Sequence, residues 1–172
     1  MARKLRIQFE GACYHIINRG NYRADVFANQ GAAKAFETCL WEACEKTGWR
    51  LHAYVIMQNH YHLAVETPQP NLVEGMHWLQ STFATRFNRF RSENGHVFQG
   101  RYKAILVEPG PTLAYVANYI HLNPHRAGLL PVAIREGVSP RFGICHFISH
   151  RHYLEYQHAW TDPVRLFSEP RT

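Results

Sequence analysis

The chain has 172 residues, of which 46% are hydrophobic and 19% are charged, a composition that favours one globular domain and excludes a disordered chain. Its net charge is +6, and 15 of its 19 basic residues are arginine, the side chain that binds phosphate through a bidentate fork. This charge favours a nucleic-acid partner, although a merely basic soluble protein fits the composition equally well.

Several protein classes have no support in the sequence. No apolar run reaches the roughly 20 residues of a membrane span, and no apolar segment follows the basic N-terminus, so we expect no membrane partner. The cysteines lack C-x-x-C spacing and are most easily interpreted as reduced residues of a cytoplasmic protein. Only Asp25 and Asp162 are aspartates, which counts against an Asp-rich two-metal nuclease.

The first half of the chain predicts the order β-α-β-β. The predicted elements are a strand over 12–18, a helix over 30–47, and strands over 50–57 and 60–66. Gly48 ends the helical pattern, and Gln58-Asn59 joins the last two strands in a tight turn.

The second half adds two helices and a strand. The predicted elements are a helix over 71–91, a strand over 101–108 and a helix over about 112–122. Pro111 suits the first turn of the last helix, and we expect Pro124 to end it. We interpret 1–129 as one domain, and 130–172 as a less regular extension packed on it, with one short helix near 149–159.

The order β-α-β-β-α-β-α predicts an α+β fold. An antiparallel sheet with packed helices would bury the apolar face of each element, as in ferredoxin-like or RNA-recognition-like (RRM-like) topologies.

A histidine pair stands out in the strand 60–66. Because side chains alternate along a strand, His60 and His62 share one face, while Tyr61, Leu63 and Val65 point to the core. Two imidazoles on neighbouring same-side positions suit one divalent metal ion. Two half-buried histidines in a chain with 12 histidines are the ordinary alternative.

The last helix presents a second set of polar groups. Tyr115, Tyr119 and Asn123 recur every four residues, so they share a helix face beside the apolar stripe. A tyrosine hydroxyl beside a metal can attack phosphorus and form a covalent phosphotyrosine. The ordinary alternative is that the tyrosine lies at the edge of the core and that the asparagine ends a helix before proline.

Taken together, these features resemble the single-tyrosine HUH transposases, most closely the REP-associated tyrosine transposases. Four stretches carry the resemblance, in the order of the family: YHIINRG (14–20), MQNHYH (57–62), VFQGRYK (97–103) and YIHLNPHRAG (119–128). They span most of the chain up to Gly128 and imply an HUH endonuclease fold.

The resemblance also implies roles for single residues. His60 and His62 match the pair that binds Mg²⁺ or Mn²⁺, and Asn123 matches the polar residue that completes the metal site. Tyr119 matches the nucleophile, and we prefer it to Tyr115 because it lies four residues before Asn123, as the family motif requires.

Three positions depart from the family pattern. Tyr61 stands where a plain aliphatic residue is usual, Gln58 where proline is frequent, and His125 where valine is usual. None of these departures removes a catalytic group.

The function implied is metal-dependent cleavage and rejoining of single-stranded DNA through a 5′-phosphotyrosine, at palindromic hairpins such as REP elements. We expect a monomer or homodimer. The expected DNA contacts are basic residues from three parts of the chain: Arg3, Lys4, Arg6, Arg19, Arg86, Arg89, Arg101 and Lys103.

Two other functions fit less of the sequence. A non-catalytic nucleic-acid-binding module on an RRM-like sheet needs aromatic residues on the open sheet face, where His60 and His62 are predicted instead. A zinc-stabilised structural domain would need a four-ligand Cys/His cluster, and none is visible.

Overall fold

The computed structural model describes residues 5–127 and 144–147. Its strands are β1 (Ala12–Arg19), β2 (Arg50–Ile56), β3 (His60–Thr67), β4 (Lys103–Val107) and β5 (Ile144–Phe147). Its helices are α1 (Gln30–Thr47), α2 (Leu72–Arg91) and α3 (Pro111–Arg126), with a short 3-10 turn at Asn21–Arg23. The predicted α+β class and the order β-α-β-β-α-β-α are confirmed.

The strands form one antiparallel sheet in the order β4-β1-β3-β2-β5. β1 and β3 lie in the middle and are buried along most of their length. The predicted turn at Gln58-Asn59 joins β2 to β3, where the backbone N–H of Met57 donates to the carbonyl of His60 at 2.8 Å. The central position of β3 places its side chains between two helical layers.

Helices α1 and α2 cover one face of the sheet. Phe36 of α1 meets both Tyr61 of β3 and Phe83 of α2, with ring centroids 4.6 Å and 5.1 Å apart. Contacts between aromatic rings at such distances stabilise the fold beyond what the burial of their apolar surface contributes. Tyr61 therefore points into the apolar core, as the strand alternation predicts.

Helix α3 covers the opposite face. Its buried Leu113 and Ile120 pack against small and apolar side chains of the sheet, among them Val55 and Ala64. This face carries the even-numbered residues of β3, and hence the histidine pair. The apolar stripe of α3 thus fixes the helix above the histidines.

The C-terminal part differs from the sequence-based expectation. Helix α3 continues to Arg126 instead of ending at 122, with Pro124 inside it. Proline removes one N–H donor, but the N–H of Ala127 still donates to the carbonyl of Asn123 at 3.0 Å, so the last turn closes. The strand predicted over 101–108 is shorter, at Lys103–Val107.

Strand β5 was not predicted, and it extends the sheet beyond β2. The short helix predicted near 149–159 lies outside the described residues, and the domain boundary at 129 stays a prediction. Within the described part of the chain, no helix has the length and apolar character that crossing a bilayer requires.

Candidate active site

The histidine pair lies on the α3 side of the sheet. His60 begins β3 opposite Arg19 of β1, and His62 follows opposite Ile17. Their ring centroids are 5.2 Å apart. His62 is buried and His60 is half-buried, so one imidazole lies inside the sheet–helix layer and the other at its edge.

A third histidine, His15 of β1, joins the pair. Its Nε2 lies 2.9 Å from Nδ1 of His62, and the two rings stack with centroids 5.2 Å apart. His15 belongs to the first stretch of the family resemblance, but sequence reasoning gave it no role. The alternation of β1 would have placed it on the histidine face, yet nothing local indicates a partner 47 residues away.

Burial keeps the three imidazoles neutral. It lowers the pKa of His62 to about 3, with help from the neighbouring His15 and His60. It also lowers the pKa of His15, beside Lys103, and that of His60, beside Arg19. Neutral imidazoles have the lone pairs that a metal ion requires.

The hydrogen bonds leave one ring nitrogen available on each histidine of the pair. Nδ1 of His62 is occupied by His15, and Nδ1 of His60 lies 2.8 Å from Oδ1 of Asn59. The Nε2 atoms of both histidines therefore remain as ligand atoms.

Asn123 of α3 reaches the same place. Its Nδ2 lies 3.5 Å from Nε2 of His62, and a half-turn of the amide exchanges nitrogen for oxygen at that position. Two imidazole nitrogens and one amide oxygen form a donor set that fits a divalent cation.

Tyr119, half-buried on α3, stands against the histidines. Its ring centroid is 5.9 Å from that of His15 and 6.0 Å from that of His62, both edge-on. The Arg126 guanidinium carbon lies 5.2 Å from the centroid of the Tyr119 ring. Tyr115, one turn earlier, is 54% exposed. Of the two tyrosines, the structure therefore brings Tyr119 to the histidines.

One chain supplies every group of this site. His15 comes from β1, the histidine pair from β3, and Tyr119 and Asn123 from α3, which packs on its own sheet. The described part of one chain thus brings these side chains together.

Three of the expected DNA-binding residues lie on β1 or beside β4. Arg19 lies next to His60, and Lys103 lies opposite Ile17, the neighbour of His62. Both are exposed, as is Arg101, two residues before Lys103. These three side chains therefore place positive charge beside the candidate site.

The other expected basic residues lie elsewhere. Arg86 of α2 forms an ion pair with Glu42 of α1 at 2.8 Å, in the helical layer on the far side of the sheet. Arg89 is exposed on α2, and Arg6 donates to the backbone carbonyl of Tyr102 and stacks on its ring. Arg3 and Lys4 lie outside the described residues.

The matched residues of this chain define its family. The family model described as IS200-like transposase matches residues 8–123, which contain both helical layers and the whole candidate site, so the class is transposase. The chain belongs to the IS200-like transposase family. A search of curated proteins finds no similar sequence.

Two solved structures match the chain in a structural comparison. A REP-associated tyrosine transposase bound to a REP hairpin matches with a TM-score of 0.61 and 15% identity, over 76% of each chain. An inferred transposase from Deinococcus radiodurans R1 matches with a TM-score of 0.49 and 23% identity, over 70% of this chain and 96% of that one. The first likeness shows a shared fold, in agreement with the predicted family.

Proposed function

We propose that this transposase cleaves and rejoins single-stranded DNA with Tyr119 as the nucleophile. The observation that carries the proposal is the position of the Tyr119 ring against His15 and His62, on the helix whose Asn123 reaches Nε2 of His62. A phenol beside a set of metal-ligand atoms is the arrangement that phosphoryl transfer to tyrosine needs.

The donor set of His60, His62 and Asn123 would hold Mg²⁺ or Mn²⁺. When bound there, the cation supplies Lewis-acid stabilisation of charge on a phosphate oxygen. His15 holds the His62 ring in place through the bond to Nδ1, which keeps Nε2 turned towards Asn123.

The chemical step exchanges one phosphate ester for another. Oη of Tyr119 attacks the scissile phosphorus and loses its proton, and a Tyr–O–P bond forms. The P–O3′ bond breaks, and the departing oxygen takes up a proton to become a 3′-hydroxyl. The 5′-phosphotyrosine keeps the energy of the ester, so rejoining is the reverse step and needs neither water nor a nucleotide.

The charged residues around the site would position the strand. Arg19 and Lys103 flank the histidines, and Arg126 lies over the Tyr119 ring, where a guanidinium can contact the phosphate next to the scissile one. Since a fold relative is bound to a REP hairpin, we propose a palindromic hairpin with adjacent unpaired DNA as the substrate of this chain.

The packing of α3 disfavours a non-catalytic RRM-like module. Such a module needs an open sheet face with aromatic side chains. Here α1 and α2 cover one face, and α3 covers the other with Leu113 and Ile120.

The proposal is tested on a denaturing gel with a labelled hairpin oligonucleotide and Mn²⁺. Wild type should form a covalent protein–DNA adduct, and Tyr119→Phe should form none while it still binds the DNA. Tyr115→Phe is the matched control, because it removes the same atom one turn away on an exposed side chain. An adduct in Tyr119→Phe would refute the assignment, and hairpin binding without any wild-type adduct would favour the non-catalytic alternative.

A further inference from the structure

A second group of metal-ligating side chains lies on the same sheet face, at the other end of the strands. Cys13 of β1, His52 of β2 and Glu66 of β3 each offer one ligand atom, and these atoms all lie within 4.8 Å of one another. The strand register explains the meeting of the first and third, since Cys13 lies directly opposite Glu66.

A bulge brings in the histidine. The pairing of β2 with β3 shifts register between Leu51 and Ala53, so His52 lies at the irregularity. A bulge turns a side chain away from its regular direction. Here Nε2 of His52 lies 3.1 Å from Oε2 of Glu66. The irregularity in β2 therefore completes a cluster drawn from three adjacent strands.

The cluster is separate from the candidate active site. Glu66 lies four residues beyond His62 on β3, about 13 Å at the rise of an extended strand. Cys13 belongs to the buried apolar cluster that also contains Val107 and Leu113 of the first turn of α3. The sulfur is thus buried among apolar side chains, while His52 and Glu66 are half-buried.

Polar contacts already join Glu66 to two basic side chains. Oε1 of Glu66 accepts from the largely exposed Arg50 at 2.7 Å, and Oε2 faces His52. Sγ of Cys13 lies 3.9 Å from the carbonyl of Gly11, a weak thiol contact. Burial and the charge of Glu66 raise the pKa of the Cys13 thiol, so it keeps its proton until a metal displaces it.

We propose that Cys13, His52 and Glu66 form a Zn²⁺ site distinct from the His60 and His62 pair. A thiolate, an imidazole and a carboxylate are all ligands of zinc, and three protein ligands leave one tetrahedral position for water. Magnesium and manganese prefer oxygen ligands, so the thiolate of Cys13 favours zinc over either ion at this site.

Binding replaces the S–H bond of Cys13 by a sulfur–metal bond and releases one proton to solvent. The contact between His52 and Glu66 opens as both side chains turn to the ion. Because the ligands come from β1, β2 and β3, zinc ties the three central strands together. The expected role is stabilisation of the fold, since a ligand that binds only the folded state raises its unfolding temperature.

The test uses the full-length chain in a His60→Ala/His62→Ala background, so that the catalytic pair contributes no ligand. After removal of metal with a chelator, titration with zinc should show one bound ion per chain and a rise in Tm. Cobalt should give a thiolate-to-metal charge-transfer band in the near ultraviolet. The added change Cys13→Ala should abolish the band, the stoichiometric binding and the rise in Tm.

Cys44→Ala is the matched control in the same background, because Cys44 lies on α1 on the other side of the sheet. It should retain all three signals. His52→Gln gives a second test at a half-buried position: the band should persist with a zinc affinity at least tenfold weaker. One zinc bound to Cys13→Ala as tightly as to its parent, or no zinc bound to that parent, would overturn the proposal.

Discussion

Nε2 of His15 lies 2.9 Å from Nδ1 of His62, and this contact joins the first and third strands of the chain at the candidate metal site. One of the two nitrogens must donate the proton. If Nδ1 of His62 is the donor, its Nε2 carries the lone pair that faces Asn123. His15 then selects the tautomer and the ring orientation of a metal ligand without binding the metal itself.

Removal of His15 should weaken metal binding. His15→Ala leaves Nδ1 of His62 without its partner and allows the ring to turn, and loss of such a supporting contact costs about 10- to 100-fold in metal affinity. Titration with Mn²⁺, followed by electron paramagnetic resonance, measures the affinity directly.

His15→Gln is the control for this prediction, since its amide oxygen can accept the proton from Nδ1 of His62 and should restore part of the affinity. A folded His15→Ala protein with the Mn²⁺ affinity of wild type would show that His15 only fills space.

The sequence predicts more of the fold than of the site. Apolar periodicity identified α1 and α2, and strand alternation correctly placed Tyr61 in the core and His62 on the other face. Strand β5 was missed because its four residues lie in a proline-containing extension, and its pairing depends on the free edge of β2.

The success of each site prediction depended on how far apart along the chain the interacting residues lie. The family spacing separated Tyr119 from Tyr115, and the structure places only the former against the histidines. The cluster around His52 depends on a β-bulge, which no hydrophobic pattern indicates. The sequence did not indicate that Arg86 forms an ion pair, because its partner Glu42 is 44 residues away along the chain.

The basic residues should differ in their effect on DNA binding. Arg19→Gln or Lys103→Gln should weaken binding to any single strand and reduce the slope of log K against log salt by about 0.7, the loss of one phosphate contact. The choice of hairpin should not change, because phosphates carry no base identity. Fluorescence anisotropy at several salt concentrations measures both quantities.

Arg86→Gln is the matched control, since Arg86 is paired with Glu42 in the opposite layer. Its affinity and slope should equal those of wild type. If Arg86→Gln flattens the slope while Arg19→Gln and Lys103→Gln leave it unchanged, the DNA path lies over α2 instead.

Acid should destabilise the metal-free protein. In the unfolded chain His62 binds a proton near its ordinary pKa of 6.5, whereas burial lowers the pKa to about 3 in the folded protein. Between these values the unfolded state holds more protons, so the free energy of unfolding falls as pH falls. From about pH 7 to about pH 5 we expect a loss on the order of 1–2 kcal/mol from His62.

Urea unfolding in the presence of a chelator checks this pH dependence. His121, whose pKa burial lowers to about 4, contributes in the same direction. His62→Gln should reduce the pH dependence. A free energy of unfolding that rises towards pH 5 would contradict the expected sign.

Substitution of Gly75 should show how tightly α2 packs against Trp49, the residue before β2. A Cβ atom at Gly75 would lie 2.7 Å from Cη2 and 2.8 Å from Cε2 of Trp49, which is shorter than a normal van der Waals contact. The indole is held, because its Nε1 donates to Oδ1 of Asn71 at 2.8 Å and the Asn71 amide donates to the carbonyl of Thr47. Overpacking of this kind costs about 1–3 kcal/mol, against a gain of about 1 kcal/mol in helix propensity from glycine to alanine.

We therefore expect Gly75→Ala to lower the free energy of unfolding by up to about 2 kcal/mol, the excess of steric cost over propensity. Ser81→Ala, at an exposed position of the same helix, controls for the propensity change and should be nearly neutral. Trp49→Leu should make Gly75→Ala less costly, because the smaller side chain leaves room for the methyl group, and a double-mutant cycle by urea unfolding measures that coupling. If Gly75→Ala is as stable as wild type and shows no coupling to Trp49→Leu, the helix can move away from the indole, and the contact does not fix the position of α2.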